Sequence, residues 1–294
     1  MVSPAFETWR RQGQRFEHRG HAIAVVERGR GEAMLAIHGF PSASWDWHAI
    51  LPGLTPRFRV IAPDLLGFGW SDKPRSFRYS MLDQADRLEA LLAARGVDRV
   101  HLLAHDYGDT VAQELLARHE QRAGRGLAIA SCVLLNGGLF PECHHPRPVQ
   151  RLLATRLGPL VARLSSRRTL ARGLHAIFGR DTPPSPAFVD ELWTMLRHAD
   201  GQLALPRLID YIRERKQHRA RWVGALERTR VPLVLIDGAA DPVSGADMIA
   251  RWRELLPQAQ LVVLPGIGHY PQIEAPDAVL AAMLRFHDRL RDST

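Results

Sequence analysis

Cysteine is scarce in this sequence, and long apolar runs are missing from it. The only cysteines are Cys132 and Cys143, too few for a disulfide framework or a structural zinc site, and we interpret each as a small buried apolar residue. No stretch approaches the ~20 apolar residues of a membrane-spanning helix, and the N-terminal segment lacks the apolar core of a secretion signal. We therefore expect a cytoplasmic protein.

The charged residues and the histidines also lack the patterns that bind nucleic acid or metal. The formal net charge is +8, but the basic residues scatter among acidic ones instead of forming a run interleaved with stacking aromatics. Lysine occurs only at Lys73 and Lys216. There are 14 histidines, yet no H-E-x-x-H or comparable spacing appears. We predict no nucleic-acid partner, no metal and no cofactor.

Short apolar segments alternate with segments of helical period over most of the chain. Most of the short segments are continuous apolar runs, as expected for strands of a mainly parallel sheet that is covered on both faces. The predicted strands are 21–29, 33–39, 58–64, 100–106, 131–137, 232–238 and 259–265, and the predicted helices between them are 79–96, 109–120, 246–257 and 276–290. The fold class is therefore α/β, with a mostly parallel, doubly wound sheet.

This alternation stops after Asn136 and resumes at Val231. The predicted helices of the arginine-rich segment between them are 149–164, 186–199 and 205–222. We interpret residues 137–225 as a helical cap inserted into a core of residues 1–136 and 226–294. Residues 147–178 are basic and amphipathic, which is compatible with docking on anionic lipid or with a solvated arginine face over a substrate tunnel.

Asp106 follows a predicted strand and precedes a predicted helix, with the small residues Ala104 and Gly108 two positions away on either side. This spacing is typical of the sharp strand-to-helix turn that exposes the nucleophile of many hydrolases, although an aspartate there can also be a helix N-cap. Asp241 and His269 follow later strands, in the chain order nucleophile, acid, histidine. We predict that Asp106 is the nucleophile, His269 the base, and Asp241 the acid that orients His269.

The tetrapeptide HGFP at 38–41 also follows a predicted strand. A Gly-x-Pro turn there can aim backbone N–H groups at the nucleophile, so those of Phe40 and Tyr107 are candidate oxyanion-hole donors. Pro41 is a candidate for a cis peptide bond, and His38 and Pro41 are candidates for contact with substrate. A second carboxylate, Asp109, either complements the helix N-terminus or tunes the charge of Asp106.

Five segments together resemble the α/β-hydrolase superfamily, in its aspartate-nucleophile branch of epoxide hydrolases and haloalkane dehalogenases. They are HGFP, DLLGFGWSDKP (64–74), HDYGD (105–109), DPV (241–243) and GHYPQIEAP (268–276). Within that branch, LLNGGLFPE (134–142), RERKQHRARWVGAL (213–226) and HYPQIE (269–274) most resemble the mesoderm-specific-transcript hydrolase-like proteins. The resemblance implies an α/β-hydrolase fold with an inserted helical cap over nearly the whole chain.

An aspartate nucleophile suits displacement at a saturated carbon, because the product is an alkyl ester that water activated by His269 can cleave. The resemblance implies that epoxide hydrolases of this branch use cap tyrosines, or a His–Tyr pair, to bind the leaving oxygen, and Tyr211 matches one of these positions. A second donor is open among the cap histidines His144, His145, His175 and His198. We predict an epoxide hydrolase acting on a small apolar substrate.

Haloalkane dehalogenation is the alternative. The resemblance implies that dehalogenases hold the halide with a tryptophan after the nucleophile and a second tryptophan or asparagine, but this chain has Tyr107 and Phe40 at those positions. Trp193 of the cap is a possible replacement donor in contact with substrate. A third alternative is a non-enzymatic membrane-surface or pseudoenzyme role, in which the basic cap would contact the membrane.

Overall fold

The computed structural model describes residues 2–123 and 125–292, and within these ranges eight strands form one sheet. The strands are β1 (Gln14–His18), β2 (His21–Arg28), β3 (Glu32–Ile37), β4 (Phe58–Pro63), β5 (Arg99–His105), β6 (Ala128–Leu135), β7 (Leu233–Gly238) and β8 (Gln260–Leu264). Their order is β1-β2-β4-β3-β5-β6-β7-β8, with antiparallel pairing of β1 with β2 and of β2 with β4 and parallel pairing elsewhere. The predicted α/β fold class is confirmed.

Helices flank the sheet on both faces and fill the connection between β6 and β7. In chain order they are α1 (Pro4–Gln12), α2 (Leu51–Leu54), α3 (Met81–Ala94), α4 (Tyr107–Gln121), α5 (Pro148–Leu153), α6 (Gly158–Arg163), α7 (Arg167–His175), α8 (Pro186–Arg197), α9 (Leu205–Leu208), α10 (Tyr211–Gln217), α11 (Arg219–Arg228), α12 (Ala246–Leu255), α13 (Pro271–Glu274) and α14 (Pro276–Asp292). None of the helices in the described ranges combines the length and apolarity needed to span a bilayer.

Alternate residues of the central strands face opposite sides of the sheet. On β3, Leu35 and Ile37 belong to one apolar core, whereas Met34 and Ala36 belong to the other. Because both faces are covered, these strands have continuous apolar sequences, and all seven predicted strands are present within one to three residues of the expected ends. Strand β1 was not predicted, because it is a partly exposed edge strand with the polar sequence QRFEH.

The inserted helices are shorter than predicted. The expected helix over 149–164 is two helices, and α6 begins at Gly158 just before Pro159, which cannot donate a backbone hydrogen bond. The expected helix over 205–222 is divided among α9, α10 and α11, and α1 and α7 were not predicted. The cap thus consists of short segments that surround the end of the sheet where β5, β7 and β8 finish.

Helix α11 is joined to the core by a buried carboxylate. Glu114 of α4 accepts hydrogen bonds from Arg221 Nε at 2.6 Å and from Trp222 Nε1 at 2.8 Å, and Arg118 of its own helix donates to it at 2.8 Å. The expected boundary between cap and core at residue 226 therefore falls inside a helix that packs against α4 along its length.

Candidate active site

The turn between β5 and α4 holds Asp106 in a conformation that few L-residues adopt. Its φ and ψ angles are 47° and −100°, and its side chain is almost fully buried. Gly108 is required two residues later, because a Cβ atom there would lie 2.2 Å from the backbone oxygen of Ile37. The small residues that flank Asp106 in the sequence thus permit the tight strand-to-helix turn.

The carboxylate of Asp106 has a different partner at each oxygen. The backbone N–H of Phe40 donates to Oδ2 at 3.0 Å, and the Phe40–Pro41 peptide bond is cis, as predicted. Arg215 of α10 lies 3.5 Å from Oδ1 and also donates to the backbone oxygen of Asp106 at 2.8 Å. Burial alone would raise the pKa of Asp106, but the charges of His269 and Arg215 lower it below its usual value, so the carboxylate is ionised.

His269 lies between two carboxylates. Its Nδ1 atom is 2.8 Å from Oδ2 of Asp241, and its Nε2 atom is 3.9 Å from Oδ2 of Asp106. Burial lowers the pKa of His269, but the two carboxylates outweigh burial and raise it to about 9. In the ligand-free site the ring is therefore a cation held by two anions, and the three residues expected to form a triad lie together.

Asp241 is held by a dense set of donors. It accepts hydrogen bonds from the backbone N–H groups of Val243 at 2.8 Å and Ser244 at 3.1 Å, and from Asn136 Nδ2 at 3.1 Å. Burial raises the pKa of Asp241, but His269 and these donors lower it overall. Asn136 was not predicted as a site residue; its position directly after the apolar run of β6 is the sequence signal that could have found it, and its φ in the structure is 36°.

Asp109 is buried in the first turn of α4. Neither of its oxygens has a well-formed hydrogen-bond partner among the described residues. Burial, followed by the nearby charge of Asp106, raises the pKa of Asp109 well above its usual value. Its carboxyl group is therefore neutral, so it adds little charge either to the helix N-terminus or to the site.

Tyr211 and Arg215 lie one helical turn apart on α10 and face the nucleophile together. The Tyr211 ring packs against the rings of Phe40 and Tyr107, with centroid distances of 5.7 and 5.1 Å. The Arg215 guanidinium lies 4.5 Å from the centre of the Tyr211 ring. Gln150 of α5 donates to the Tyr211 hydroxyl at 3.4 Å. Burial, with the charge of Asp106, raises the pKa of Tyr211 far enough to keep the hydroxyl protonated.

Arg215 was not predicted as a site residue. It is 1% exposed, donates through Nε to Thr110 at 2.6 Å, and leaves Nη1 without a partner among the described residues. Its spacing of four residues from Tyr211 places the two on one helix face, but this spacing alone does not mark it as a site residue.

Of the four cap histidines considered as second donors, only His144 is close enough to feel the charges of the triad. It is buried, its Nε2 has no partner in the described part of the chain, and burial and Arg215 lower its pKa to about 3. His145 pairs with Asp247, His175 bonds the Ala171 carbonyl on the surface, and His198 packs against Trp70. His144 is therefore a neutral ring beside the site.

A cleft of about 490 Å³ opens beneath the cap, and most of its lining is apolar. Phe40, Pro41, Trp193 and His269 contribute to the lining. His38 lies outside it, because both of its ring nitrogens bond the backbone: Nδ1 donates to the Gly39 oxygen at 2.8 Å and Nε2 accepts from Leu65 at 2.9 Å. His38 therefore holds the loop that carries the Phe40 N–H, and its expected contact with substrate stays a prediction.

Tyr107 contributes to the site through its position at the start of α4. Its side chain is fully buried against Phe68 and Tyr211 and lies outside the cleft, whereas its backbone N–H belongs to the first turn of the helix.

In the described ranges, no three His, Cys, Asp or Glu side chains form a group that could hold a metal ion.

Comparison with known proteins agrees with this geometry. The family model described as alpha/beta hydrolase fold matches residues 32–276. The chain belongs to the α/β-hydrolase family. Within the family, it is 43% identical to the human mesoderm-specific transcript homolog protein over 97% of this chain and 89% of that protein.

Two solved structures superpose on almost the whole chain. Epoxide hydrolase CorEH without ligand has a TM-score of 0.78 at 20% identity and covers 95% of this chain and 99% of its own. Haloalkane dehalogenase DbeA from Bradyrhizobium elkani has a TM-score of 0.78 at 23% identity and covers 96% of this chain and 99% of its own. At these identities the likeness establishes the shared hydrolase fold, with its eight-stranded sheet and inserted helices.

Proposed function

We propose that this protein hydrolyses epoxides to vicinal diols through a covalent ester at Asp106. The observation that carries the proposal is the ionised Asp106 carboxylate, which has the Phe40 N–H on one oxygen, His269 beside it and the Tyr211 hydroxyl on the cap side. The largely apolar lining of the cleft supports a small apolar substrate.

Ring opening is the first step. Oδ1 of Asp106 attacks an oxirane carbon, the carbon–oxygen bond of the ring breaks, and its electron pair stays on the departing oxygen. That alkoxide takes the proton of the Tyr211 hydroxyl. The resulting tyrosinate is stabilised by the Arg215 guanidinium, which lies 4.5 Å from the centre of the tyrosine ring. The product is a β-hydroxyalkyl ester of Asp106, and the Asp106 negative charge is gone.

Ester hydrolysis is the second step. Because the ester is neutral, one of the two negative charges that raise the pKa of His269 has disappeared. His269 therefore gives up its proton, which passes to the tyrosinate of Tyr211. The neutral ring then takes a proton from water, and the resulting hydroxide adds to the ester carbon. The Phe40 N–H stabilises the negative oxygen of the tetrahedral intermediate. Its collapse breaks the ester carbon–oxygen bond, and the departing oxygen takes the proton from His269 to give the diol. The carboxylic acid left at Asp106 then passes its proton to His269, which restores both residues.

The test incubates the protein and its Asp106→Asn variant with styrene oxide and, separately, 1-bromobutane. We expect diol from the wild type and none from the variant. A single turnover with excess enzyme in ¹⁸O-water should put the label into Asp106 and leave the first diol unlabelled, since its new oxygen comes from the carboxylate. Label in the first diol, or diol from the variant, would rule out the ester.

Halide displacement is the second candidate function. It is favoured by Trp193, whose indole N–H is a halide donor and whose side chain lines the cleft. It uses the same Asp106 ester and needs no proton from Tyr211. Bromide release from 1-bromobutane without diol from styrene oxide would select it, and turnover of neither substrate without a covalent adduct would contradict both.

A further inference from the structure

Exposed apolar side chains are concentrated in one segment of the cap. Within the described ranges, six large apolar residues are exposed, and five of them lie within residues 149–164. Leu164 is the most exposed, at 70%. We call these five the cap patch; they are Val149, Leu152, Leu157, Leu160 and Leu164. Scattered exposed leucines are ordinary, but five within sixteen residues indicate a surface that is covered in use.

The helices that bear the cap patch already have an inward face. Leu153 of α5 and Ala162 of α6 are buried against the rest of the protein. Val149, Leu152 and Leu160 are exposed on the same two short helices, where a surface helix in water carries polar residues, and Leu157 and Leu164 are exposed directly before and after α6. The cap patch is therefore additional to the core packing.

The chain around the cap patch is purely basic. Residues 147–180 contain eight arginines and no aspartate or glutamate. Arg156 and Arg163 are exposed within the patch, and Arg168 follows on α7. Exposed apolar side chains and guanidinium groups in one segment match the two layers of a bilayer interface, namely the acyl region and the anionic headgroups.

We propose that the cap patch docks on the surface of a bilayer containing anionic phospholipid. The patch is continuous with the cleft, because Val149 is half-exposed on the surface and also lines the cleft beside Arg147. A docked cap would let an apolar molecule pass from the acyl layer into the cleft without crossing water. The docking itself needs no chemistry at Asp106 and goes beyond the proposed function.

Co-sedimentation with vesicles tests the docking. The vesicles are phosphatidylglycerol with phosphatidylcholine, or phosphatidylcholine alone, at low and high salt. The full chain is compared with the double variant Leu160→Ser and Leu164→Ser, and with the double variant Arg156→Gln and Arg163→Gln. The matched control is Leu82→Ser, which removes the exposed leucine of α3 outside the cap patch. Thermal unfolding followed by circular dichroism checks that each variant is folded.

We expect the wild type and Leu82→Ser to bind the anionic vesicles equally and more weakly at high salt. The leucine double variant should lose about tenfold or more in partitioning, and the arginine variant should lose its preference for anionic lipid. No sedimentation of the wild type, or equal losses in the Leu82 control, would overturn the proposal. So would a dimer seen by light scattering that the leucine variant abolishes while vesicle binding stays absent. Turnover of a water-soluble epoxide is measured separately, so failure of the proposed reaction does not affect this result.

Discussion

The Nε2 atom of His269 lies 3.9 Å from Oδ2 of Asp106, the same oxygen that accepts the Phe40 N–H. This relationship couples the two halves of the proposed reaction, because the charge that Asp106 loses when it becomes an ester is a charge that holds the proton on His269. The residue that serves as base is thus cationic until the ester exists. Neutralisation of the nucleophile itself prepares the base.

Replacing His269 by Gln should stop the reaction at the ester. Asp106 keeps its Phe40 and Arg215 contacts, so attack on an epoxide proceeds, but no base remains to activate water. We expect diol formation to fall by about 10² or more. Mass spectrometry should find an adduct equal in mass to one substrate molecule on the peptide that contains Asp106. Absence of the adduct, with full loss of turnover, would contradict the order of steps.

Replacing Asp106 by Asn should lower the pKa of His269 from its value of about 9, because one of the two carboxylates that raise it is gone. NMR titration of the histidine side chains measures this directly. Asp109→Asn is the control: its carboxyl group is already neutral, so the pKa of His269 should stay where it is. A His269 that titrates alike in wild type and Asp106→Asn would disprove the coupling.

Replacing Tyr211 by Phe should slow epoxide opening and leave halide displacement unchanged, since only the oxirane oxygen needs a proton. We expect a loss of about 10²-fold in the rate of ester formation from styrene oxide, typical of removal of a general acid. Tyr79→Phe is the matched control, because its hydroxyl donates to the Pro74 backbone oxygen at 3.0 Å away from the triad. Equal losses on both substrates would indicate a packing role for Tyr211.

Replacing Arg215 by Met should raise the pKa of Asp106, since Arg215 is one of the charges that lower it. The acid limb of the kcat/KM profile should move to higher pH, whereas Arg215→Lys should restore part of the shift. Loss of one member of a buried ion pair should also lower the free energy of unfolding by about 3 kcal/mol, measured with urea. An acid limb that stays fixed while stability falls would make Arg215 purely structural.

Replacing Asp109 by Asn should stabilise the protein at neutral pH. The pKa of Asp109 is raised on folding, so the folded state holds a proton that the unfolded state releases above about pH 4, and the unfolding free energy falls as pH rises. Asparagine does not titrate. The variant should be more stable than wild type at pH 7, and the difference should vanish toward pH 4. A variant less stable at pH 7 would mean that Asp109 is ionised.

The two aspartates and the histidine of the triad could be predicted from the sequence, because strand ends and glycine spacing are local signals. Asp106, Asp241 and His269 each follow a continuous apolar run, and parallel strands bring their carboxyl ends to one edge. Arg215 gave no such signal. Its neighbour Arg213 pairs with Asp210 on the surface, and only the packing of α10 over α4 distinguishes the buried arginine from the exposed one.

Boundaries in the cap were the least accessible part of the fold. Apolar periodicity over 149–164 is the same for one long helix as for two short ones, and a proline such as Pro159 can either begin a helix or interrupt one. Strand β1 was missed for a similar reason, since a polar segment becomes a strand there only because β2 offers it an open edge.

The Glu114 network has a mechanical consequence. Because it clamps α11 to α4, and α10 runs directly into α11, Tyr211 and Arg215 form a stiff unit with the nucleophile. Helices α5 to α8 lie outside this unit, and α8 is followed by Ala199 and Asp200, two non-glycine residues with φ of 50° and 56°. The Glu114 network thus separates the part of the cap that holds Tyr211 and Arg215 beside Asp106 from the part that contributes most of the cleft lining.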